Sequence, residues 1–213
     1  MNSKRSVGIA VPLSVVMAVL PGCSSNTPDS TESASAPAVA LSESPARPTL
    51  TNPAFQPPSQ DNEYTRSSGR PKVVYDPCTW LSDDDVIAAG YPAQSRKRGA
   101  DLVAEYSFLN CRFQTDAVSL SVMSGNVTWD EDQQKNGTWL QPTTVNRRQA
   151  AMGREPETIR TGVKDCEVHM RTAVGVVFVS TRLKIQGEAQ DLDPCADIMG
   201  VASIVEESIG EGN

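Results

Sequence analysis

Near its end the chain reads Asp193-Pro194-Cys195-Ala196-Asp197-Ile198-Met199-Gly200-Val201-Ala202-Ser203-Ile204-Val205-Glu206-Glu207-Ser208-Ile209. Asp followed by Pro is a helix-start signal: the carboxylate accepts a backbone N–H, and the proline ring presets φ for the first helical position. Beyond it Ile198, Val201, Ala202, Val205 and Ile209 recur at helical spacing, which predicts an amphipathic helix with its apolar stripe on a core. Asp197, Glu206 and Glu207 argue against a membrane-lying helix, because interfacial helices favour Lys and Arg.

The same device opens the pattern at Asp76-Pro77-Cys78. Ser82 then caps a short helix whose positive end carries Asp83, Asp84 and Asp85, with Leu81 and Val86 placed as a hydrophobic staple and Gly90 as the stop. Strands follow. Phe108, Cys111 and Phe113 mark one, and Val118, Leu120 and Val122 alternating with Ser119, Ser121 and Met123 mark another. Asp130-Glu131-Asp132 lies beyond, and Asn136-Gly137 reads as a turn. Residues 143–161, which hold Arg147, Arg148, Arg154 and Arg160, read as strand then loop. Val168 and Met170 alternate with Glu167, His169 and Arg171, and Val174 to Val179 is nearly all apolar, so a hairpin turning near Ala173 to Gly175, or one long bent pair, is expected. The fold class is therefore α+β: a single domain with an antiparallel sheet packed against an N-terminal and a C-terminal helix.

The other end of the chain has a separate logic. Lys4 and Arg5 precede a mostly apolar run of 14 residues, Val7 to Leu20. As a helix this run is about 21 Å long, short of a bilayer core of about 30 Å, and Pro12 weakens it further. It reads as an export signal. Leu20-Pro21-Gly22-Cys23 follows and resembles the lipobox of bacterial lipoprotein precursors, with Pro21 a departure from the usual residue. The resemblance implies cleavage after Gly22 and diacylglycerol on the Cys23 sulfur, hence a partner in the membrane. From residue 23 to residue 70 Ser, Thr, Pro and Ala dominate without apolar period, as expected of a disordered tether with a coil dimension of roughly 38 Å. The expected organisation is a signal peptide at 1–22, lipidated Cys23 and tether at 23–70, and an extracytoplasmic domain at 71–213.

With Cys23 assigned to lipid, Cys78, Cys111, Cys166 and Cys195 remain, an even number in an exported chain, and two disulfides are expected. Three pairings are open. Cys78–Cys111 with Cys166–Cys195 is preferred, each closing a loop of about 30 residues worth roughly 3.6 kcal/mol on the chain-entropy model.

Composition narrows function by exclusion. Of 213 residues, 38% are apolar and 5% aromatic, and the net charge is −7, which offers nucleic acid no basic stripe. No cysteine pair has zinc-ligand spacing and His169 is the only histidine, so no metal or other cofactor is expected. Asp83 to Asp85 are explained by the helix dipole, and the acidic loop before Asn136 fails the EF-hand pattern at Gln134 and Lys135. No nucleophile elbow, Walker motif or dinucleotide fingerprint is present. His169 is expected on the solvated side of its strand, and Arg96-Lys97-Arg98 in a solvated loop with an anion site as the sharper alternative. No catalytic residue is assigned.

Taken with the lipobox and tether, the two Asp-Pro-Cys motifs, Leu81 and the short helix to Gly90, and Cys111 two residues before Phe113 carry a family likeness. In these the chain resembles actinobacterial lipoproteins with domain of unknown function 3558, from about Tyr75 to the end. Phe113 stands where such proteins often have Trp. The resemblance implies attachment to the cell membrane, facing the wall, and supplies no catalytic residue. The expected function is a non-catalytic envelope binding module whose partner is an envelope protein, a wall component or a small ligand. A carrier of an apolar or lipid ligand and an unrecognised hydrolase are the alternatives.

Overall fold

The computed structural model describes residues 49–211 and 213. The expected signal peptide, Cys23 and the tether up to residue 48 lie outside the described residues.

Eight strands form one antiparallel sheet: β1 (Lys97–Arg98), β2 (Leu102–Val103), β3 (Ser107–Gln114), β4 (Val118–Gly125), β5 (Gln141–Val145), β6 (Arg148–Gly153), β7 (Asp165–Arg171) and β8 (Val176–Leu183). Their order is β1-β3-β4-β8-β7-β6-β5, with β2 also on β3. Seven helices accompany them: α1 (Glu63–Ser68), α2 (Pro77–Trp80), α3 (Asp83–Ala88), α4 (Trp129–Asn136), α5 (Pro156–Arg160), α6 (Ile185–Ala189) and α7 (Ile198–Ile209).

Period-two alternation gives the sheet two unlike faces. Cys111, Val122, Val179 and Val168 make one continuous row on the core face, because their register partners are each other. Against them pack Ile198, Val201, Ala202, Val205 and Ile209 of α7, together with Cys78, Leu81 and Val86. Apolar side chains from both layers thus make up the core between helices and sheet, with a cleft of about 170 Å³ left beside Tyr91, Val118 and Ile198.

The Asp-Pro-Cys device makes the same local bond at both ends, but only Asp76 caps a helix, α2; α7 begins at Ile198 after Asp197 and not at Asp193. Asp76 accepts the Cys78 N–H at 3.2 Å and Asp193 accepts that of Cys195 at 2.9 Å. Each cysteine is then bonded to a strand on the core face: Cys78 to Cys111 of β3, and Cys166 of β7 to Cys195. Loops of 33 and 29 residues' separation are closed in the pairing preferred from the sequence. Ser82 caps α3 as expected, in a reciprocal capping box with Asp85.

Four local expectations are corrected. Residues 49–70 were expected to be tether, yet they include a 3-10 turn at Pro53–Phe55 and α1, and both are bonded to the domain. Phe55 packs against the core, and polar groups make the rest of the attachment: Leu50 donates to the Thr79 carbonyl, Gln60 exchanges two bonds with Val73, and Asn62 donates to Val103. Arg70 spans Glu131 at 2.5 and 3.0 Å and stacks 3.9 Å from the Tyr106 ring centroid.

Of the expected Asn136-Gly137 turn only Gly137 lies in a turn; Asn136 is the last residue of α4, which Thr128 caps in a box with Glu131. Residues 143–161 fold as the β5–β6 hairpin and α5 instead of strand then loop. Asn146 and Arg147 take φ of 47° and 75°, the left-handed pair that a two-residue turn between twisted strands requires. Finally, Arg96 and Arg98 are not solvated. Arg96 is buried against Cys78 O and Asp83, and Arg98 is held by Phe55 O, Asp76 and Asp101. Only Lys97 of the three is exposed.

Among the described residues no helix is long and apolar enough to cross a membrane, and no cluster of His, Cys, Asp and Glu could hold a metal ion.

Candidate functional site

The second face of the sheet is polar and only partly covered. Register places its side chains in rows. One row runs Asn110–Met123–Phe178–His169–Ala151 from β3 to β6. The next runs Arg112–Ser121–Ser180–Glu167–Gly153, and the third Gln114–Ser119–Arg182–Asp165. Helix α4 and Trp139 cover the β6–β7 end, where Trp129, Leu140, Ala151 and Val176 form a small apolar cluster. Over β3, β4 and β8 the face stays open.

His169 lies at the boundary between covered and open parts. It was expected in solvent; it is 1% exposed. Its Nδ1 faces both Asp132 oxygens at 3.0 Å, and its Nε2 faces Glu167 Oε2 at 3.0 Å. Trp139 and Phe178 pack edge-on against the ring, with centroids 5.7 and 4.7 Å away. Alternation along β7 carries no sign of this, because the group covering His169 comes from α4, whose Asp130-Glu131-Asp132 start reads from sequence as an acidic loop.

Chemically the arrangement suits an imidazolium between two carboxylates, since that form offers a donor to each side. Burial lowers the pKa of the ring, and the bonds and charges of Asp132 and Glu167 reverse this, for a net rise from the usual 6.5. Both nitrogens are occupied by carboxylates, which leaves neither ready to take a proton from a hydroxyl. The geometry is that of a buried ion cluster holding α4 to β7.

Beside it the open face forms a pocket of about 330 Å³. Met123 and Phe178 give it an apolar patch, Ser119, Ser121 and Ser180 give it hydroxyls, and Arg112, Arg182 and Glu167 give it charge. Glu167 thus touches the pocket while bonded to His169. Arg182 stands 3.6 Å from Asp165, whose Oδ2 is buried without a hydrogen bond. A second pocket of about 330 Å³ adjoins the first, sharing Ala100, Arg112 and Ser119 and adding Lys97.

Of these pocket residues only Lys97 carries a role read from sequence, as part of the Arg96-Lys97-Arg98 anion-site alternative. The alternation in β3, β4 and β8 does put Arg112, Ser119, Ser121, Ser180 and Arg182 on one face. Only the register brings them side by side.

The cysteines expected to pair lie on the core face, remote from this surface, and serve the fold. Cys23 lies outside the described residues.

The chain belongs to the family described as protein of unknown function (DUF3558), whose model matches residues 18–208. No curated protein matches it. No solved structure matches it either.

Proposed function

We propose that this member of the DUF3558 family is a membrane-anchored, extracytoplasmic binding module, tethered through lipid on Cys23, that meets its partner with the open polar face of the sheet. The observation that carries this reading is the pocket lined by Arg112, Ser121, Ser180 and Glu167, a concave surface with convergent polar groups on a rigid scaffold. The lipobox-like Leu20-Pro21-Gly22-Cys23 and the disulfides support placement outside the cytosol, where thiols are oxidised. A binding role suits the site better than hydrolysis, since the sole histidine is engaged by carboxylates on both sides. It also suits the fold better than apolar transport, since the cleft between α3, α7 and the sheet measures only about 170 Å³, small for an apolar ligand.

Position-specific photo-cross-linking on intact cells tests the reading. A photo-reactive residue replacing Ser121 or Ser180 is expected to give covalent adducts, and one replacing exposed Glu157 on α5 is expected to give none. Equal labelling at all three positions, or none at Ser121 and Ser180, overturns it.

A further inference from the structure

Across β1 and β3, Lys97 stands directly opposite Arg112. Opposed residues of antiparallel strands have Cβ atoms about 5 Å apart, and like charges so placed repel. Both side chains are exposed, and among the described residues neither forms an ion pair or a side-chain hydrogen bond. In a chain of net charge −7, whose residues 71–213 hold 21 acidic and 14 basic side chains, carboxylates are plentiful, yet none is placed on this pair. The contrast with their neighbours is direct: Arg96 and Arg98 are each anchored by Asp.

The pair lies where the two pockets meet, for Arg112 lines both. Arg182, two strands from β3 and one register row along, adds a third cation, partly offset by Asp165. Between them runs β4, which contributes Ser119 and Ser121, and next to it β8 contributes Ser180. Ser119 and Ser180 have no side-chain hydrogen bond among the described residues. The surface therefore offers an uncompensated cationic end, free hydroxyls, and the apolar patch of Met123 and Phe178 for a ring to rest on.

We propose that this groove binds a saccharide bearing an oxyanion, a carboxylate or a phosphate, with the anion between Lys97 and Arg112 and the sugar body over Ser119, Ser121 and Phe178. The proposal rests on the open face being the binding face. A guanidinium suits either oxyanion through paired N–H bonds. An anion between the two cations relieves their repulsion, so occupancy and stability are linked.

The test is calorimetric titration of the full chain with three trisaccharides: trigalacturonate, phosphorylated maltotriose and neutral maltotriose. Each anionic ligand is expected to bind at least about tenfold more tightly than the neutral one, as one charge-assisted contact implies, and to weaken with salt. Which anionic ligand binds better identifies the oxyanion. Lys97→Glu provides the decisive variant. It turns the repelling pair into an attracting one, so it is expected to raise the melting temperature while abolishing anionic binding. Equal binding of neutral maltotriose, no detectable binding of either anionic ligand, or binding unchanged in K97E overturns the proposal. Failure here with adducts still formed at Ser121 removes the ligand class alone; loss of those adducts removes the binding face.

Discussion

The imidazole of His169 has almost no access to water, and its charge is therefore coupled to folding. A raised folded-state pKa means stabilisation that is complete below about 6.5 and is lost as pH climbs through the folded value. For Asp132 burial pushes the carboxyl up, but the bonds from His169, Asn136 and Gln133 outweigh it, and its pKa falls from the usual 3.8. Its contribution is present above about 3.8 and is lost as pH falls through its folded value. Thermal melts of the native chain should therefore drop as pH is raised from about 6 to about 9. His169→Gln should cost about 3 kcal/mol at pH 6, because it strips a buried carboxylate of its countercharge, and should flatten that drop. An undiminished pH slope in H169Q would contradict the ion-cluster reading. The strand around His169 was legible as alternating, and alternation assigned the residue to the correct face. It said nothing of whether that face was covered.

Elements were most legible where local chemistry and apolar period agreed. In α7 the stripe Ile198, Val201, Ala202, Val205 and Ile209 is buried, with Ser208 beside it, and in α3 the cap Ser82 and the first-turn Asp85 bond to each other. The helix α4 was illegible because Trp129–Asn136 is almost wholly polar, and its stability derives from the Thr128–Glu131 capping box and from Asp132 beneath it. Residues 49–70 escaped for a related reason: they adhere through amide side chains, Arg70 and Phe55, which leave no apolar rhythm. The β5–β6 turn places Arg147 in the left-handed region, where sequence preference would look for Gly. At the β7–β8 turn the requirement is steric. A Cβ on Gly175 would press against the backbone oxygens of Gly125 and Val127, neither of which belongs to a flexible side chain. Gly175→Ala is thus expected to destabilise the domain by about 2 kcal/mol, within the range of overpacking in a tight interior. Chemical denaturation measures it, and a loss under about 0.5 kcal/mol, the scale of an ordinary surface substitution, would show that the turn can relax.

At the scale of the whole molecule the design separates fixing from meeting. One face of the sheet is consumed by helices and by two disulfides that tie Asp-Pro-Cys turns to β3 and β7. The other is covered by α4 and Trp139 at its β6–β7 end and left polar and open over β3, β4 and β8. A small domain whose ends are cross-linked in this way gains stability mainly by restricting its unfolded chain, roughly 3.6 kcal/mol per loop of about 30 residues. Such bonds are favoured where oxidation is permitted, which accords with the export signal expected at Lys4 to Cys23. Intact-mass analysis of the chain recovered from the membranes of the cells that make it tests that connection in one measurement. A mass lacking residues 1–22, heavier by a diacylglyceryl group on Cys23, and lighter by four hydrogens than after reduction is expected. A chain that retains Met1 to Gly22, with Cys23 unmodified and no mass change on reduction, would contradict an anchored, oxidised binding module.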